Sequence, residues 1–180
     1  MQRSPVGGFT LLEVLVAMFV LALGVIGAAA TQATSARLRQ QAALESEAVA
    51  LASSLAARMR VNPAQMALPD AANPYLQLDY DAAGGLPTPP PVQCFGAAAC
   101  DASQLAQFDI HELARGVHDA FPGGRIAVCR DAVAATGPLD WPCAGGSSAP
   151  LVVKIGWRRP ARAGSVALEA TPFVTMVVSG

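Results

Sequence analysis

Gly7-Gly8-Phe9-Thr10-Leu11-Leu12-Glu13 joins a short polar leader to a long apolar run that carries a single acid. In an ordinary secretory peptide the apolar core comes first and is discarded, with the cut on its far side. Here a cut between Gly8 and Phe9 would leave the apolar segment on the mature chain, with a free amine four residues before Glu13. From Phe9 to Ala30 the run is about 22 residues, or about 33 Å as a helix, against a hydrocarbon core of about 30 Å. That is enough to cross a membrane once, and no run beyond Ala30 approaches the same length.

The helical pattern continues past Ala30. Leu44, Ala48, Leu51, Leu55 and Met59 recur at steps of three and four, while Arg37, Arg39, Glu45, Glu47 and Arg58 lie off that stripe. Asn62-Pro63 ends the pattern, because proline disfavours helical backbone in the residue before it. The spacing therefore predicts one helix from Phe9 to about Val61, roughly 80 Å long, whose first half suits lipid and whose second half needs a covering partner.

After Gly84-Gly85, the stretch Leu86-Pro87-Thr88-Pro89-Pro90-Pro91 reads as loop. Asp101 to Phe121 reads as a shorter helix, with Asp101 or Ser103 as N-cap, Ile110, Leu113, Val117 and Phe121 on one face, and Pro122-Gly123-Gly124 as its stop. Three valine- and isoleucine-rich strands follow, at 125–130, 151–159 and 172–179. Successive strands without intervening helices predict an antiparallel meander, one face of which can cover the Leu44 to Met59 stripe. The fold class is thus α+β: a long N-terminal helix on a C-terminal antiparallel sheet, with a short extra helix.

Composition limits what such a chain can do. Its 180 residues suffice for one domain and an anchor. A net charge of -1 gives no electrostatic footprint for nucleic acid. Four cysteines, Cys94, Cys100, Cys129 and Cys143, fall past the membrane segment in two local pairs. In an exported chain they read as two disulfides; three connectivities are open, and the local one, Cys94 with Cys100 and Cys129 with Cys143, is the expectation. The competing zinc reading lacks C-x-x-C spacing.

Catalytic chemistry is hard to assemble. His111-Glu112 and His118-Asp119 are acid-base candidates, but the two histidines lie about 10 Å apart along one helix and read as a solvated face. Asp79-Tyr80-Asp81 lacks the ligand ladder of a calcium loop and reads as a turn. Trp141 and Trp157 suit core or loop anchoring as well as contact roles. No phosphate-binding glycine loop occurs. The expectation is no enzymatic activity, no cofactor and no metal.

Gly8, Phe9, Thr10, Leu11, Leu12 and Glu13, with the apolar run after them, make the chain resemble the type IV pilin-like proteins. The likeness covers about Met1 to Val61. Within the family it is most similar to the PilV-type minor pilins, or type IV pilus modification proteins, on Val14-Leu15-Val16-Ala17-Met18, Gly24-Val25-Ile26-Gly27, the paired cysteines and Val153-Lys154-Ile155-Gly156-Trp157-Arg158. The resemblance implies a leader at 1–8, a transmembrane and assembly half of the helix at 9–30, an amphipathic half at 31–61, and a pilin-like globular domain at 62–180 completed by 31–61. It implies that a prepilin peptidase cuts after Gly8 and methylates Phe9, and that Glu13 meets the N-terminal amine of a neighbouring subunit. A carboxylate inside hydrocarbon costs up to a few kcal/mol and needs such a partner, although Glu13 also suits the positive end of the helix dipole.

Other minor pilins and the major pilin are the implied partners. The implied location is the inner membrane as a single-pass protein with its domain in the periplasm, then the pilus at the cell surface. Many major pilins carry a proline near the end of the apolar run, where this chain has Ala30. They also commonly carry a long cysteine-bounded loop at the extreme C-terminus. The first departure leaves no built-in bend evident in the helix; the second, the lack of an obvious loop of that kind here, favours a low-abundance, accessory subunit. A type II secretion pseudopilin shares the leader logic, and a periplasmic protein cut near Ala28-Ala29-Ala30 is the alternative in which the apolar run is an ordinary signal peptide.

Overall fold

The computed structural model describes residues 8, 10–133, 137, 139–158 and 172–178. Two compact units divide between Ala43 and Leu44. Helix α1, Leu11–Arg60, belongs to both. Its start is two residues inside the predicted one, because Thr10 caps it: the Thr10 hydroxyl accepts from the Glu13 backbone N–H at 3.3 Å.

Through the first unit every described residue of α1 is exposed. In the second unit burial begins with the predicted stripe. Ala48, Leu55 and Met59 are buried with Ala52 and Ala56, and Leu44 and Leu51 pack at the margin of the same core. Burying a leucine or methionine side chain contributes about 1.5–3 kcal/mol, so this stripe is a principal source of the domain's stability.

Asn62-Pro63 ends α1 as predicted, and Pro63 then opens a single turn of helix, α2, Pro63–Met66, where its missing N–H costs nothing. Short 3₁₀ turns follow at Asp70–Ala72, Pro74–Gln77 and Ala82–Gly84. Helix α3, Ala102–Ala120, is capped by Asp101 in a complete capping box with Gln104. Leu113, Val117 and Phe121 are buried from its apolar face, with Ile110 half-buried. Gly123, at φ 57, turns the chain out of α3 into the sheet, a conformation that costs glycine little.

The sheet has four strands in the order β1-β2-β3-β4, every neighbouring pair antiparallel. They are β1, Asp79–Asp81; β2, Arg125–Arg130; β3, Leu151–Gly156; and β4, Val174–Val178. Strand β2 matches its predicted bounds, whereas β3 stops short of Trp157 and Arg158 and β4 begins after Pro172 and Phe173, all four of them predicted as strand; Arg159 and Ser179, also assigned to strand ends, lie outside the described residues. Strand β1 corrects the reading of Asp79-Tyr80-Asp81 as a turn: Asp79 stands opposite Ala127, and Tyr80 opposite Ile126.

All six residues of β3 are buried, which requires cover on both faces of the sheet. Leu151, Val153 and Ile155 join the core with the α1 stripe and α3. Lys154 reaches the opposite face, which is covered by chain from the β2–β3 connection. A disulfide joins Cys129, in β2, to Cys143 of that connection, and a second joins Cys94 to Cys100 just before α3.

Candidate processing and assembly site

Gly8 is exposed; Phe9 and residues 1–7, the rest of the predicted leader, lie outside the described residues. Thr10 fixes the helix start, and Glu13 consequently falls in the first turn, with its backbone N–H also donating to the Thr10 carbonyl at 3.1 Å. Thr10-x-x-Glu13 has the spacing of a capping box, a signal of the helix start that the predicted Phe9 boundary overlooked. Placed there, Glu13 complements the positive end of the helix dipole. Its side chain is exposed and thus accessible to an outside cation.

Around and beyond Glu13 the helix is apolar on every side. Leu12, Leu15, Phe19, Leu23 and Ile26 are all more than half exposed, and α1 is long and apolar enough to cross a membrane. A surface of this kind is stable only in lipid or against other apolar helices. Gly24 and Gly27 meet nothing of their own chain where a Cβ would stand. Each costs a helix interior about 1 kcal/mol relative to alanine, and no contact at the Cβ position among the described residues repays it. Just past Ala30, the Thr31 hydroxyl donates to the Ala28 carbonyl at 2.8 Å and the Thr34 hydroxyl to the Ala30 carbonyl at 3.0 Å. These two threonine hydroxyls are thereby satisfied within the helix.

In the second unit the two histidines of the acid-base candidates are engaged in structural bonds, which corrects their reading as a solvated face, while Asp119 is exposed as predicted. Both histidines are half-buried. His111 Nδ1 lies 2.9 Å from the Thr88 carbonyl, so it donates there and pins the proline-rich loop to α3. His118 Nδ1 lies 2.7 Å from the Tyr80 hydroxyl, which is also 2.8 Å from the Gly85 carbonyl. One phenol proton serves one acceptor, so when Tyr80 donates to Gly85 it is His118 that donates to Tyr80. Asp79 pairs with Arg125 at 3.2 Å, and Asp81 accepts from the Ala83 N–H at 2.8 Å. Among the described residues no group of three or more histidine, cysteine or acidic side chains is placed to hold a metal.

Two buried polar clusters went unread in the sequence. In the first, Asp109 of α3 accepts from Arg58 at 2.5 Å and from the Tyr75 hydroxyl at 2.9 Å, and Asn62 donates to the Ala102 carbonyl at 2.8 Å. This ties the end of α1 to α3. Burial pushes the Tyr75 phenol far above its ordinary value, and the bond to Asp109 adds to that.

In the second, the Lys154 ammonium lies 2.6 Å from Asp131 Oδ2 and donates to the carbonyls of Asp140 and Pro142, both at 3.0 Å. Burial pushes the Asp131 carboxyl up, but the Lys154 bond and the backbone N–H groups of Val133 and Ala144 outweigh it and hold it below the usual carboxylate range. Beside this cluster, an open cleft of about 800 Å³ runs between β1, β2 and the segment carrying Asp140, Trp141 and Pro142. Trp141 is half-buried, with the Arg125 guanidinium 4.4 Å above its ring. Trp157 is buried in the core, stacked on Phe121 at 5.0 Å between ring centroids.

A leader junction ahead of an apolar helix that runs unbroken into an α+β domain defines the class of pilin-like subunits. Residues 3–29 match the family model of the prokaryotic N-terminal methylation motif, and residues 30–111 match the Tt1218-like model, described as Type IV pilin Tt1218. The two matches abut: residues 3–29 carry a prepilin N-methylation motif, and residues 30–111 are similar to a type IV pilin. No curated protein and no solved structure matches the chain.

Proposed function

We propose that the chain is a minor type IV pilin of the PilV type, a non-catalytic subunit of a pilus initiating or tip complex that supports assembly, adhesion and twitching motility. The observation that carries this reading is the N-terminal half of α1, exposed and apolar on all sides, with Glu13 in its first turn behind the Gly8 junction. A prepilin peptidase cuts after Gly8 and methylates Phe9. The subunit waits in the inner membrane with its domain in the periplasm, and Glu13 then takes the N-terminal amine of a neighbouring pilin as its partner. A carboxylate drawn into an apolar bundle needs such a cation, and only a particular axial register supplies it.

The unbroken helix through Ala28-Ala29-Ala30 supports retention of the apolar segment over its removal as a signal peptide. N-terminal sequencing of the protein from membranes tests the reading, together with a Gly8→Leu variant. A mature chain beginning at Phe9, and a Gly8→Leu precursor that keeps its full length, are the expected results. A mature chain beginning near Thr31, or normal shortening of the variant, overturns it. Co-purification with type II secretion pseudopilins in place of pilus subunits would reassign the machine and leave the processing intact.

A further inference from the structure

The chain carries eleven arginines and one lysine, and that lysine, Lys154, sits in the middle of β3 with its side chain 2% exposed. Its three acceptors explain the choice. One carboxylate oxygen and two carbonyls surround a compact ammonium, which has three donors to give; the flat fork of a guanidinium does not fit that arrangement. Two of the acceptors, Asp140 and Pro142, belong to the segment next to Cys143, and the third, Asp131, lies two residues after Cys129. The disulfide therefore closes over the ion pair from both sides. Ala132 also donates to the Ala144 carbonyl at 2.7 Å, and the indole of Trp141 packs so closely on Gly156 that a Cβ there would stand 2.8 Å from its ring.

We propose that the Cys129–Cys143 disulfide and the Lys154–Asp131 pair form a redox-controlled latch on the outer face of the sheet. Oxidised, it fastens the segment 139–144 across β2 and β3 and builds one wall of the adjacent cleft. Reduced, the segment lifts, Lys154 meets solvent and the wall is lost. A buried ion pair recovers its own desolvation with little to spare, so it does not hold a free segment down unaided. The disulfide supplies the missing constraint by restricting the open chain.

Cys143 is exposed and Cys129 half-buried, so attack comes at Cys143. A thiolate of a dithiol reductant bonds to Cys143 sulfur as the bond to Cys129 breaks, and the second thiol of the reductant then displaces Cys143. Both cysteines end as thiols, carrying the two protons of the dithiol, and the reductant ends as a disulfide. The face made by Asp140, Trp141 and Pro142 thus exists only where disulfides persist, outside a reducing cytosol.

Lys154 being the sole lysine, an amine-acylating ester followed by mass spectrometry of its peptide reports the latch directly in the full chain in detergent micelles. With disulfides intact Lys154 is expected to stay unmodified, and a dithiol should raise its acylation about tenfold or more through local opening. The C94A/C100A variant should keep this redox response, and C129A/C143A should be reactive without reductant. Near-UV circular dichroism from the Phe121–Trp157 stack should persist throughout. Equal rates in the two redox states overturn the proposal. So does loss of the near-UV signal together with exposure, since that is unfolding of the domain and not release of one segment.

Discussion

The two faces of the sheet are buried by different physics. On the inner face Leu151, Val153 and Ile155 meet Ala48, Ala52, Leu55 and Met59 of α1 with Val117 and Phe121 of α3, a dry apolar layer. On the outer face Val152, Lys154 and Gly156 are equally buried, but beneath a covalently clipped segment that rests on one ion pair. Apolar packing is non-directional and tolerates a missing methyl group at a graded cost. A buried charge pair has no such tolerance, because losing one partner strands the other.

The largest effect should come from the outer face. Lys154→Met leaves Asp131 buried and unpaired, and is expected to lower unfolding stability by about 3–5 kcal/mol in denaturant titration followed by tryptophan fluorescence. Lys154→Met combined with Asp131→Leu should recover most of that loss, since an apolar pair of similar volume replaces the ions at little net cost. A double variant as unstable as the single one would mean that the carbonyls of Asp140 and Pro142, and not Asp131, need the ammonium.

On the inner face Leu55→Ala should cost about 2–5 kcal/mol through lost burial and the cavity left behind. The same truncation in the first half of α1, Leu15→Ala, should leave the domain's midpoint within about 0.5 kcal/mol, because Leu15 touches no core. Equal losses at the two positions would break the distinction between a helix half buried by its own chain and one awaiting lipid or neighbours.

The same contrast explains what the sequence could disclose. The α1 stripe, α3 with its Asp101 cap, and the three long strands were legible because periodicity, capping residues and glycine-proline punctuation are local signals. The N-terminal methylation motif, matched over residues 3–29, was legible for the same reason. Strand β1 was not: three residues, two of them acidic, carry no alternation, and their pairing with β2 is a matter of tertiary context. The histidines were misread because their partners, the Thr88 carbonyl and the Tyr80 hydroxyl, come from loops whose path no local pattern fixes. The latch joins residues 23 apart in the chain, and long-range polar pairing has no period. Its one available signal was compositional: a solitary lysine inside a valine-isoleucine strand, in a chain that uses arginine everywhere else.

The smallest expected effect has the opposite sign. Thr175 of β4 stands directly opposite Lys154 in register, and so on the outer face. Its hydroxyl is buried and finds no hydrogen-bond partner among the described residues. Leaving a buried hydroxyl unpaired costs about 1–3 kcal/mol, whereas a methyl group of nearly the same size incurs no such penalty. Thr175→Val is therefore expected to raise the denaturation midpoint, by about 1 kcal/mol once imperfect repacking is allowed for. Stabilisation would mark the outer face as carrying a polar defect beside its ion pair. A loss of stability would show that the Thr175 hydroxyl is bonded in solution, and that the polar network around Lys154 extends across β4.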